Sequence, residues 1–482
     1  MKQKLLVLEA NEIPLRVVRE FASRNPTSTI AGVLNDHTAI ETWAADVAED
    51  DLYPSQTWAS LNTGKPYEEH RIRWYNDVKQ FSDFFWHQIA AKGRPTVLVG
   101  TLHSSPLDQY VDDGNYRLVV PDCFASTDET RPHDFEHFQH FNLAVTGENG
   151  RKTSMGRTLA SAAVALARYP RPSRWGLTTR SVSDISRLTA SALANKERLR
   201  CAQFPMMAEI FLAGLRREKP DLGVGFTNHV AANMHRYWYA LYPDDFETKA
   251  YPEKWVKKYQ NEIMRAMALL DSWLEKFKRF AIDNDYLLLL TTSMGQKANA
   301  KLDPDYVVEN AIDYRLDNPL LLLDRLLEGR DASITHETAM VPQYTFAFPT
   351  DEQAEAAALR LREYGCTRSQ ERHGYYLTDE ARVTGPKKLK GLVLGVEVVR
   401  NKLTLTASVS SDFEDKVMLG DRSFGPRDLG FVEFEVEDHH SGCHSPAGTL
   451  LAINDRTGVF DRWKNGQMDY LDFAPAVLDF AA

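Results

Sequence analysis

Apolar positions along this chain fall into short continuous runs separated by stretches of helical periodicity. Residues 5–8 form one such run, Leu-Leu-Val-Leu, which stops at Glu9. A continuous apolar run bounded by polar residues predicts a strand covered on both faces of a parallel sheet. Similar runs at 95–100, 221–227 and 285–291 follow segments with apolar residues every three to four positions, such as 206–217 and 259–280. Helix then strand, repeated, predicts an α/β fold built on a doubly wound, mostly parallel sheet. Ligands of such sheets sit beyond the carboxyl ends of the strands, so the residues after each run are the ones to weigh chemically.

The alternation lapses between 112 and 199, where aromatic, His-rich and Arg-rich segments such as RPHDFEHFQHFN keep helical spacing. This predicts a helical cap or insertion. From 341 the pattern changes again, to a strand-like QYTFAF, a helical DEQAEAAALRLREYG and the β-rich LKGLVLGVEVV and KLTLTASV. The expected organisation is therefore a core in two parts, 1–111 and 200–340, a cap at 112–199, a smaller α+β subdomain at 341–434, and a return to the core at 435–482.

Charge and cysteine content narrow the partners. The 482 residues carry a formal charge of −10, which argues against nucleic acid or an anionic membrane surface and leaves a small molecule or glycan as the expected ligand. Cys123, Cys201, Cys366 and Cys443 show no CxxC spacing, a distribution that reads as reduced thiols in a cytoplasmic protein. The apolar run near the N-terminus is too short for a secretory leader, and the run at 286–290 is too short to span a bilayer.

The strand ends hold the candidate chemistry. Glu9, Asn11 and Glu12 follow the first run, and carboxylates there can ligate metal or act as bases. The stretch PSQTWASLNTG begins a helix, where Ser55 or Thr57 can serve as the N-cap or stand at a helix terminus suited to an anion. After 227 comes Asn228-His-Val-Ala-Ala-Asn-Met-His-Arg, with His229 and His235 as single histidines. TTSMGQK at 291–297 contains neither carboxylate nor histidine. Residues 438–444, DHHSGCH, offer ligands of the kind zinc favours. His133, His137 and His140 share one helical face opposite Phe135, Phe138 and Phe141, as spacings of three and four require; this pattern predicts a solvated histidine face over a buried aromatic stripe.

Taken together, these segments resemble the alkaline phosphatase superfamily, in its branch of type I phosphodiesterases and nucleotide pyrophosphatases. PSQTWASLNTGKPYEEH is similar to the family's nucleophile segment with its TG-x-x-P-x-x-H continuation, here Thr57, Thr63, Gly64, Pro66 and His70. His235 and His444 match two of its metal-binding histidines. The resemblance spans 1 to about 300 and 435–455, and implies a phosphate ester or diester as substrate and Thr57 as nucleophile. Members of the family hold two zinc ions with three aspartates and three histidines. Here Asn11 stands at the first acid, Ala231, or Asn228 with a shift, at the second, and Ser293-Met294 at the Asp-His pair.

Asn and Ser are weak neutral ligands, so the sequence implies at most one zinc, held by His235 and His444 with His439, Glu9 or His229 recruited, and Asn11 and Asn228 nearby. Alternatively, Lys297 and Arg236 replace the metals as cationic stabilisers, with Glu9 or Glu12 as base. A third reading is a catalytically inactive relative that binds a phosphorylated ligand or a protein partner.

Overall fold

The computed structural model describes residues 3–482 apart from 74, 76–82, 111–113, 126, 148–178, 192, 196–197, 199–200, 301–311, 338–342, 367–382, 410–415, 436–440 and 465. His439 and residues 148–178 of the expected cap thus lie outside the described residues. The chain forms two compact units. One comprises Met1–Asp245, Glu253–Ala298 and Ser441–Ala482, the other Phe246–Pro252 and Asn299–His440.

The first unit is built on an eight-stranded sheet. Its five contiguous parallel strands are β1 (Lys4–Ala10), β3 (Thr96–Val99), β4 (Tyr116–Val120), β5 (Leu222–Thr227) and β6 (Tyr286–Thr291), in the order β6-β1-β5-β3-β4. Next to β6 runs the antiparallel strand Ala447–Ile453, followed by β2 (Thr38–Trp43) and Gln467–Asp469. All six residues of β6 are buried, as are six of the seven in β1, which is why these strands read as unbroken apolar runs rather than as alternation. β2 alternates buried with less buried positions, and β4 lies at the sheet edge within the stretch 112–199.

Helices cover the sheet because each buries one apolar stripe. Between β1 and β2 the chain forms α1 (Leu15–Arg24), which buries Leu15, Val17, Val18 and Phe21, and α2 (Thr29–Asp36), which buries Ile30, Ala31 and Val33. Glu262–Asp283 turns Ile263, Met267, Leu270, Leu274 and Phe277 inward, and Gln203–Glu218 does the same with Phe211 and Leu215. The exposed His133, His137 and His140 lie opposite buried Phe135, Phe138 and Phe141, the arrangement their spacing predicts. Among the described residues no helix is long and apolar enough to cross a membrane.

The helix α3 (Pro54–Thr63) departs from this pattern, since all ten of its residues are buried. It starts at Pro54, with Tyr53 as N-cap and no side-chain cap. Neither Ser55 nor Thr57 is the cap that the local sequence allows, because proline occupies the first helical position, where its missing N–H costs nothing, and places both hydroxyls inside the first turn.

The second unit has its own core, with Leu322, Phe346, Leu361, Leu403 and Leu405 at its centre. An antiparallel sheet ordered Leu392–Val399, Lys402–Val409, Gln343–Ala347 and Thr335–Glu337 supports the helices Pro319–Leu327 and Asp351–Leu361.

Candidate functional site

Glu12, His235 and His444 meet beyond the carboxyl end of β1. Glu12 sits two residues past the strand in the left-handed backbone region, at φ 60°, a conformation that costs a non-glycine residue of order 1 kcal/mol and that recurs at functional sites. His235 comes from the helix His229–Leu241. His444 comes from the strand Gly442–Ser445, which pairs antiparallel with β7 (Gly295–Ala298) so that His444 faces Gln296.

The histidine tautomers follow from their partners. His235 Nδ1 donates to Gly442 O at 3.0 Å and His444 Nδ1 donates to Leu52 O at 2.7 Å. A carbonyl can only accept, so both Nδ1 atoms carry protons and both Nε2 atoms face Glu12 Oε2, at 2.9 Å from His235 and 3.6 Å from His444. The Gln296 amide also donates to Oε2, and Asn11 Nδ2 donates to Oε1 at 2.7 Å.

Burial alone pushes the Glu12 carboxyl up, but His444, His235 and the hydrogen bonds from His235 and Gln296 outweigh it and hold the group at about 2. Burial likewise opposes the charge on His235, yet the Glu12 carboxylate raises that imidazole; His444, where burial dominates, is lowered.

Thr57 lies on α3, next to the residue that joins this cluster. Its Oγ1 is 2.8 Å from Ser293 Oγ, and both residues are fully buried. Trp58 Nε1 donates to Asn11 Oδ1 at 2.8 Å. His444 leans on Leu52, five residues before Thr57. The Thr57 helix and the Glu12 cluster are therefore linked through Trp58–Asn11–Glu12 and through Leu52–His444.

The other sequence candidates occupy different places. Asn11 Oδ1 accepts from Trp58, a donor-only group, so its amide nitrogen is the end turned to Glu12 and to Asn228 Oδ1, the latter at 2.8 Å. An amide N–H cannot ligate a cation, so Asn11 organises the cluster instead. Glu9 is fully buried on β1 and accepts from Asn62 Nδ2 at 2.9 Å; burial raises its carboxyl to about 8, so it is protonated at neutral pH and is no base there. His229 is buried, stacked on Phe204 at 4.2 Å, with Nε2 bonded to Ala266 O. Lys297 is ion-paired with Glu49 and half exposed. Arg236 Nη1 donates to Ala232 O at 2.8 Å.

The donor set fits a metal ion. One carboxylate oxygen and two imidazole nitrogens lie within 4.8 Å of one another. Both imidazoles already donate their far N–H to backbone carbonyls, the outer contacts that orient metal-ligating histidines. Two histidines, one carboxylate and an open position make a recurrent catalytic zinc set. The sequence reading allows Glu12 as a metal ligand or a base but does not group it with His235 and His444; it is the left-handed turn after β1, invisible in the residue pattern, that swings this side chain onto the two histidines.

No protein-family model matches the sequence, and no curated protein sequence matches it. Among solved structures, the chain is similar to phosphonoacetate hydrolase from Sinorhizobium meliloti 1021, at 13% identity over 100% of this chain and 96% of that one, with TM-score 0.38. It is similar to murine ectonucleotide pyrophosphatase/phosphodiesterase 5, at 10% identity over 99% and 95%, with TM-score 0.36. A substituted form of the alkaline phosphatase PafA gives 12% identity over 100% and 96%, with TM-score 0.42. With every TM-score below 0.5, these likenesses assign no chemistry, and the site is read from its own residues.

Proposed function

We propose that this protein hydrolyses or transfers the phosphate group of a small-molecule or glycan phosphate ester or diester in the cytoplasm, with Thr57 as nucleophile and one metal ion held by Glu12, His235 and His444. The observation that carries this reading is the aim of two imidazole Nε2 atoms at one carboxylate oxygen, beside a helix whose first turn bears a hydroxyl. When bound, an ion of the zinc class supplies Lewis-acid polarisation of a phosphoryl oxygen. Thr57 Oγ1 forms the bond to phosphorus as the bond to the ester oxygen breaks, the threonine hydroxyl proton ending on the departing alcohol, and water later hydrolyses the threonyl phosphate to inorganic phosphate and free Thr57. Ser293 orients the Thr57 oxygen, and Asn11 and Gln296 hold Glu12.

The complete burial of Thr57, with its hydroxyl engaged by an equally buried Ser293, favours a second reading, a catalytically inactive protein that binds a phosphorylated ligand. One experiment separates the two. Zinc-loaded protein is assayed on p-nitrophenyl phosphate and bis(p-nitrophenyl) phosphate beside Thr57→Ala. Turnover that Thr57→Ala reduces by at least about 10³-fold, at unchanged zinc content, supports the nucleophile. Phosphate-ester binding without turnover by metal-loaded protein supports the second reading instead.

A further inference from the structure

A second set of hydrogen bonds grips α3 one turn beyond Thr57. Ser60 Oγ lies 2.8 Å from His70 Nε2 and 3.0 Å from Asp46 Oδ2. The Ile72 backbone N–H donates to His70 Nδ1 at 2.9 Å. Because that N–H can only donate, Nδ1 holds a lone pair and the single proton of the neutral imidazole sits on Nε2. His70 Nε2 therefore donates to Ser60, and the Ser60 hydroxyl donates to Asp46. Asp46 also accepts from the Tyr67 backbone N–H at 2.8 Å and from the Tyr470 hydroxyl. The direction is fixed at every link, from Ile72 through His70 and Ser60 to Asp46.

This order excludes an activated serine, which needs an imidazole that accepts its proton. Burial keeps His70 neutral by lowering it to about 4, which preserves the donor on Nε2. Backbone geometry explains how the imidazole reaches Ser60. Gly64 ends α3 at φ 67°, where a Cβ would lie 2.7 Å from Pro475 Cδ. Pro66 then opens α4 (Tyr67–His70), which returns the chain so that His70, its last residue, lies beside Ser60.

We propose that His70 is a positioning residue for the Thr57 site: through Ser60 and Asp46 it fixes the rotation of α3 and hence the place of the Thr57 oxygen. Apolar burial is non-directional, and a helix buried on every side gains little from it that selects one rotation. Directional bonds from α3 to a neighbouring element do select one. The proposal rests on the function proposed above for Thr57.

The test compares wild type, His70→Ala and His70→Gln, all zinc-loaded, for kcat and KM on bis(p-nitrophenyl) phosphate, zinc stoichiometry and amide hydrogen exchange across α3. A displaced nucleophile predicts a kcat lower by about 10- to 100-fold in His70→Ala, with KM within about threefold, zinc unchanged and faster α3 exchange. His70→Gln, which keeps a side-chain N–H donor, recovers most of kcat. Unchanged kcat in His70→Ala overturns the proposal, as does an equal loss of kcat and zinc in both variants, which marks a purely structural role. If wild type shows no turnover, the functional reading fails separately, and wild-type exchange rates along α3 in His70→Ala then overturn the positioning role.

Discussion

At the scale of single residues, the charge on two buried carboxyls is set by their surroundings rather than by their position near the same strand end. Glu12 faces two imidazoles and stays ionised, whereas Glu9, three residues earlier, has Asn62 and the nearby Thr101 hydroxyl to offset its burial and is held protonated. Glu12→Gln removes the anionic ligand while keeping the shape, and zinc affinity should fall by more than about 100-fold, beyond the loss typical of an outer-shell change, as read by calorimetric titration. Glu9→Gln should act in the opposite sense, on stability. The folded pKa of Glu9 lies above its ordinary 4.5, so its stabilising neutral form is complete below that value and is lost as pH rises toward about 8. Gln is neutral throughout, and its advantage over wild type should grow between pH 5 and 9 to roughly 2–4 kcal/mol, measured by urea midpoints at both pH values.

At the scale of elements, α3 is held in place because five of its polar side chains are each tied to a different neighbour. Ser55 donates to Arg73 O, Thr57 pairs with Ser293, Trp58 donates to Asn11, Ser60 donates to Asp46, and Asn62 donates to Glu9. A buried helix with so many satisfied hydroxyls and amides is specified by direction as well as by volume. Its C-terminal stop is equally demanding. Gly64→Ala forces a Cβ into Pro475 and Leu471 O at a positive φ, and should cost about 1–3 kcal/mol in thermal or denaturant unfolding. The PSQTW segment read alone permits a serine or threonine cap; the choice was made by Pro54, whose fixed φ begins the helix before either hydroxyl.

At the scale of the whole molecule, neutral buried histidines set the acid limit of the first unit. His70, His87, His103 and His229 are each lowered to about 4, chiefly by burial. A depressed pKa means that the unfolded chain takes up these protons first. The stability they preserve is complete above the ordinary value of 6.5 and is lost as pH falls toward 4. Across that window the slope should approach about 1.4 kcal/mol per pH unit for each group, seen as a steep drop in urea midpoint between pH 6.5 and 4.5.

Much of the fold and part of the site can be read in the residues themselves. The runs around Leu5–Leu8 and Tyr286–Leu290 appear as β1 and β6 because a strand buried on both faces must be apolar throughout, a constraint local to each segment. The histidine face at His133, His137 and His140 follows from helical period for the same reason. The stretch that became β4, and the pairing of β7 with Gly442–Ser445, carry no such local mark, since an edge strand and a short two-stranded pairing are stabilised by partners far away in sequence. His235 and His444 were legible as candidate ligands from the motifs around them. Their third partner was not. Only tertiary structure decided that Glu12, by a left-handed turn, reaches both imidazoles, that Asn11 presents its amide nitrogen because Trp58 takes its oxygen, and that Glu9 is uncharged, because each of these depends on which distant group supplies the hydrogen bond or excludes the water.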